Sequence, residues 1–120
     1  MEINKTGTWG ELYAMRYLMD KGYTLLDANY KTRFGEIDII AVKKKYLCFV
    51  EVKTRGEDSI AEPKEAVDTA KQKRLAATAE LFIKNSGTEK LQPRFDVCEV
   101  RVDGDNKLKK INYIENAFDV

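Results

Sequence analysis

Apolar residues recur at helical spacing between Thr8 and about Lys21. There Leu12, Met15, Leu18 and Met19 repeat along one side, and Gly22 supplies a stop. The pattern then turns strand-like. A short strand is predicted at Tyr23-Thr24-Leu25-Leu26, inside the stretch that ends at Tyr30. Two longer strands follow, Gly35 to Lys43 and Tyr46 to Thr54, and the tight lysine turn between them predicts a hairpin. Arg55 to Ala61 is polar, contains Gly56 and reads as a loop. A long helix is predicted from Glu62 or Pro63 to about Asn85, with Ala66, Ala70, Leu75, Ala79, Phe82 and Ile83 on its apolar face and Ser86-Gly87 at its end. A strand over Arg94 to Val102, a turn at Asp103-Gly104-Asp105-Asn106 and a last edge strand over Lys107 to Ile114 complete the series. This order predicts an α/β fold: a mixed β-sheet of about five strands flanked by α-helices, in one domain over residues 1–120.

The hairpin breaks its own apolar pattern in two places. Gly35-Glu36-Ile37-Asp38 leads into Ile39-Ile40-Ala41-Val42, and Glu51-Val52-Lys53 follows Tyr46-Leu47-Cys48-Phe49-Val50. Charges in a dry strand are costly unless they are paired or bound to a metal. Centred between Lys44 and Lys45, the hairpin pairs residues whose numbers sum to about 89, so that Asp38 lies opposite Glu51 and Glu36 opposite Lys53. Opposed side chains have Cβ atoms ~5 Å apart, and two carboxylates that close repel unless a cation lies between them. The bland alternative is a salt-bridge ladder on a wet sheet face, with Glu36 on Lys53. Glu11 also has two readings. Its helical neighbours Ala14, Met15 and Leu18 are apolar, which aims it at the sheet as a third acid, whereas Thr8-Trp9-Gly10-Glu11 fits a capping box.

Composition narrows the chemistry. Hydrophobic residues make up 43% and charged residues 34%, as in a soluble globular chain. There is no run of apolar residues long enough for a membrane span and no apolar signal segment, and Cys48 and Cys98 lie in apolar strands as reduced thiols, so a cytoplasmic location is expected. With no histidine, a His general base, a Ser-His-Asp triad and a His-ligated zinc are all excluded. Any metal would be held by oxygen, which favours magnesium or manganese. The net charge of +1 gives no sign of a nucleic-acid partner by itself. Local basic clusters at Lys43-Lys44-Lys45, at Lys71 to Arg74 and at Lys107, Lys109 and Lys110 read as solvated faces when taken singly.

One ordered series of residues resembles a known family. Gly10-Glu11 with Ala14 and Tyr17-Leu18, Gly22-Tyr23, Asn29-Tyr30, Gly35-Glu36-Ile37-Asp38, Phe49 to Arg55, Lys71 with Arg74-Leu75, and Arg94-Phe95-Asp96-Val97 resemble the YraN family of small bacterial proteins, over nearly the whole chain. That family is similar to the PD-(D/E)xK nuclease superfamily and to archaeal Holliday-junction resolvases. The resemblance implies a restriction-endonuclease-like fold and a divalent-metal phosphodiesterase site. It puts the superfamily Asp on Asp38, the (D/E)xK pair on Glu51 and Lys53, and the helix acid on Glu11. Ile37 stands where the superfamily signature has Pro.

The function expected from this resemblance is a metal-dependent endonuclease that hydrolyses phosphodiester bonds in DNA, branched or junction DNA among them. Asp38, Glu51 and the Val52 carbonyl would hold Mg2+ or Mn2+, with Glu11 completing a second metal site or holding a water. Lys53 would act beside the attacking water. Lys71 and Arg74, about one helical turn apart, would contact backbone phosphates or else form a solvated helix face. Asp96 reads as a structural ion-pair partner. Trp9, Tyr13 and Tyr17 read as core packing or a dimer contact, and analogy with resolvases implies a homodimer. Two competing readings remain: a nucleic-acid-binding module with the nuclease fold and no turnover, and a non-enzymatic interaction protein whose sheet carries a salt-bridge network.

Overall fold

A computed structural model describes residues 5–56 and 68–119. The chain forms α1 (Lys5–Asp20), β1 (Thr24–Lys31), β2 (Glu36–Lys43), β3 (Tyr46–Gly56), α2 (Thr69–Ser86), β4 (Gln92–Val102) and β5 (Leu108–Ile114). The five strands make one mixed sheet in the order β1-β2-β3-β4-β5. Only β3 and β4 run parallel, as the helical crossover between them requires, and the other pairs are antiparallel. The expected α/β architecture is therefore present. The expected loop at Arg55–Ala61 and the expected helix opening at Glu62 or Pro63 fall largely on residues 57–67, outside the described residues. The described helix opens at Thr69, with Asp68 as an extended N-cap whose side chain accepts from the Lys71 amide, and it ends at Gly87 in the left-handed conformation.

Strand alternation divides the core into two layers. Cys48 and Val50 of β3 and Cys98, Val100 and Val102 of β4 pack with Ala14 and Leu18 of α1. Leu47 and Phe49 of β3 and Phe95 and Val97 of β4 pack with Leu75, Ala79 and Phe82 of α2. One helix thus covers each face, and the central strands are buried on both sides, as the apolar run of β2 predicts. Helix α1 lies so close to β3 that a Cβ on Gly10 would overlap the hydroxyl of Thr54.

Several boundaries differ from expectation. Helix α1 begins at Lys5, so Thr8 is inside it and the capping-box reading of Glu11 falls. Strand β1 runs on to Lys31, well past Leu26, through a bulge between Leu25 and Asp27 and a left-handed Asn29 at φ 54°. It is a mostly exposed edge strand, so no alternation of apolar residues marks it in the sequence. The β2–β3 hairpin has the expected register, from Lys43–Tyr46 to Ile39–Val50, and closes on Lys44-Lys45 alone because Lys44 adopts φ 55°. At the far side Asp96, fully buried, accepts from the Arg94 guanidinium, the Tyr113 hydroxyl at 2.6 Å and the Asn116 amide at 2.9 Å. Asp96 is thus the structural ion-pair partner expected. Tyr17 stacks on Tyr113, and Tyr13 donates to the Asn106 carbonyl at 2.7 Å, which gives both a packing role, while Trp9 is exposed. Among the described residues no helix is long and apolar enough to cross a membrane.

Candidate functional site

The site forms where the β2–β3 ladder ends. The last ladder pair is Ile39–Val50. One residue further on, Asp38 does not simply face Glu51 across the ladder. Its Oδ2 accepts from the Val52 backbone N–H at 2.7 Å, a charge-assisted bond that fixes the carboxyl against β3. Glu51 and Lys53 lie two and four residues past Phe49 and therefore continue the α2-facing side of the sheet. Glu51 is 7% exposed. Its Oε1 receives Lys71 Nζ at 2.6 Å and Lys53 Nζ at 3.2 Å.

Lys71 comes from the first turn of α2 and is part of this cluster, which overturns its reading as a wholly solvated side chain. Arg74, one turn on, is exposed. The expected Glu36–Lys53 ladder does not form: Glu36 is exposed and pairs across to Lys31 on β1, and Lys53 turns to Glu51. Glu11 is half-buried on α1 and is hydrogen-bonded by the Asn29 side chain. Asn29 stood in the family-like series without a role. Its backbone is left-handed and its side chain bonds Glu11, and the sequence gives no local sign of this contact because it joins the first helix to the edge strand.

The acids feel one another. Burial first, then the charge of Glu51, with smaller effects from Glu11 and Glu36, pushes Asp38 up to about 7 despite the Val52 hydrogen bond. Burial likewise raises Glu11, against the Asn29 bond and helped by Glu36 and Glu51. The two lysines separate. Burial and the neighbouring Lys71 ammonium lower Lys53. Burial also pulls on Lys71, but its bonds to Glu51 and Lys53 and the charges of Glu51 and Asp38 outweigh that and hold it above its ordinary range. The cluster is thus an acid that resists ionisation beside a lysine that resists protonation, a pairing that recurs at catalytic sites.

The chain from residue 10 to residue 100 matches the family described as "Uncharacterised protein family UPF0102". A UPF0102 protein of Alkaliphilus metalliredigens is 48% identical over 112 residues, covering 93% of this chain and 96% of that protein. Another, from Caldanaerobacter subterraneus subsp. tengcongensis, is 43% identical over 120 residues, covering 98% of each. This chain belongs to the UPF0102 family. It is the YraN family of the sequence resemblance. A third UPF0102 protein, from Clostridium acetobutylicum, is 40% identical over 116 residues, covering 97% of this chain and 95% of that protein.

The match takes in every candidate side chain from Glu11 to Arg74. The donors that this UPF0102 chain brings together suit a hard cation. Asp38 and Glu51 are carboxylates, and Asp38 is raised first by burial and then by the charge of Glu51 beside it. Among the described residues no three acidic or Cys side chains form a group able to hold a metal by themselves. A cation here would need backbone oxygen and water beside the two carboxylates, which is how magnesium is usually bound.

Proposed function

We propose that this UPF0102 protein is a magnesium- or manganese-dependent endonuclease that hydrolyses phosphodiester bonds in DNA. The observation that carries the reading is Asp38: a half-buried carboxyl, pinned to the Val52 amide and pushed up to about 7 beside Glu51, with Lys53 two residues on. Asp38, Glu51 and the Val52 carbonyl would hold the cation. When bound, such an ion neutralises charge at the scissile phosphate and makes water a better nucleophile. Asp38 would give up its proton to take part. Lys53, ion-paired to Glu51 at 3.2 Å, would orient the attacking water and stabilise the charge that develops as the new P–O bond forms and the bond to the leaving oxygen breaks, the proton of the water passing to solvent. Glu11, held by Asn29, would orient that water or assist a second cation. Lys71 holds Glu51 in place. With a net charge of only +1, the chain would grip a long duplex best as a homodimer or with a partner.

The test is cleavage of nicked, branched and linear DNA in magnesium or manganese, with EDTA as control. Wild-type protein should cut, and folded Asp38→Asn and Lys53→Ala variants should not. Equal cleavage by wild type and variants would end this reading. One observation favours a second reading: Glu51 already has two ammonium partners, so its ion network is complete without a metal. A nucleic-acid-binding module without turnover would bind DNA in a salt-sensitive way and give no product at any metal concentration. A purely protein-binding role would give neither binding nor product.

A further inference from the structure

Past Glu51 the α2-facing side of the sheet changes from apolar to charged. Alternation puts Lys53 and Arg55 on this face of β3. The parallel β3–β4 ladder sets Lys53 beside Glu99 and Arg55 beside Arg101. The antiparallel β4–β5 ladder sets Glu99 beside Asn112 and Arg101 beside Lys110. Three strands therefore carry a row of cations, Arg55–Arg101–Lys110, directly behind the row that starts at Lys53. Neighbouring strands lie about 4.8 Å apart, so the row spans about 10 Å, close to the axial rise of about three nucleotides of a DNA strand.

The members of the row are not equivalent. Arg101 is held by Glu99, its Nε on Oε1 at 2.6 Å, and donates to the Gly56 carbonyl at 3.3 Å. Lys110 is exposed. Arg55 is half-buried, and among the described residues its Nε is a buried donor with no hydrogen-bond partner. Buried donors are nearly always bonded, so this one marks a guanidinium nitrogen that lacks a partner among the described residues; the atom is closed to solvent as it stands, and an oxyanion reaches the fork when the side chain swings outward. Arg55 also belongs to the family-like series, and the proposed chemistry gives it no task.

Resting on the nuclease reading above, we propose that the Arg55–Arg101–Lys110 row is the track for the sugar-phosphate backbone of the DNA strand that leads into the acid pair, with Arg55 donating to a phosphate beside the scissile one. Phosphate contacts of this kind position a strand without reading its sequence.

The experiment measures binding of fluorescently labelled DNA in EDTA over a range of salt concentrations, so that turnover plays no part. Arg55→Gln and Lys110→Gln should each bind roughly fivefold to tenfold more weakly, and each should reduce the salt slope by about 1. Arg55→Lys should keep the salt slope and lose part of the affinity, because the charge remains and the fork is gone. Lys84→Gln, at the far end of α2, should match wild type. Thermal melts of each variant separate a lost contact from a lost fold. Wild-type affinity and slope in both Gln variants would overturn the proposal. So would an equal loss in Lys84→Gln, or no DNA binding by wild type. If the row variants bind normally while Asp38→Asn abolishes cleavage, the track falls and the nuclease stands. If the row variants lose DNA and no preparation cleaves, the track stands and the nuclease falls.

Discussion

A carboxyl raised to about 7 in the folded chain keeps a proton that the unfolded chain releases near pH 4. Between those two values the folded state binds more protons than the unfolded state, so the Asp38 contribution to stability is full below about pH 4 and is lost as pH rises through about 7. Asp38→Asn removes the ionisation, and the amide oxygen can still accept from Val52. In metal-free buffer the variant should therefore be more stable than wild type at pH 8, by on the order of 2 kcal/mol after a discount for the partly wet site, and the gain should shrink towards zero near pH 4. Chemical denaturation at the two pH values measures it. Lys71 gives a second outcome at this scale. Its ammonium occupies Glu51 Oε1, so Lys71→Met should tighten Mn2+ binding by roughly tenfold in calorimetry, through loss of one competing positive charge. Asp38, Glu51 and Lys53 were legible in the sequence because charges interrupt two apolar runs. The role of Lys71 was not, because its distance from Glu51 depends on how α2 crosses over the sheet, which no local spacing records.

At the scale of elements, the closeness of α1 and β3 sets where Glu11 stands. Gly10 allows the helix to touch Thr54, one residue before Arg55 and one after Lys53. Gly10→Ala forces the helix off the sheet and should cost about 2 kcal/mol, the range for overpacking a tight contact, visible as a lower denaturation midpoint. The hairpin register was legible from Lys43–Tyr46 to Ile39–Val50, since a two-residue turn fixes parity, but the ladder stops there, so the expected Asp38–Glu51 and Glu36–Lys53 pairings do not follow from it. Lys-Lys is a poor composition for that turn, and Lys44 accepts positive φ because the ladder on either side holds it there. Strand β1 was half legible. Its second half, Asp27 to Lys31, is exposed apart from Tyr30, which packs edge-on against Phe82, and one aromatic on an edge leaves no alternating apolar signature.

Across the whole molecule, the sheet has one face for α1 and another shared between α2 and the charged field that starts at Glu51. The two-layer plan follows from alternation along β3 and β4, and alternation is what the sequence displays best. The extent of the charged field is less visible, because it depends on lateral register across three strands. The same alternation sends both cysteines, Cys48 and Cys98, into the α1 layer, where burial pushes each thiol up to about 12. Thiolate is the reactive form, so iodoacetamide should leave both untouched in native protein and modify both after denaturation. Each sulfur then acts as a built-in clock for the opening of the central strands. Timed alkylation, read by mass, would give the free energy of that opening with no added probe, and would tell whether the middle of the sheet parts before the rest of the chain or together with it.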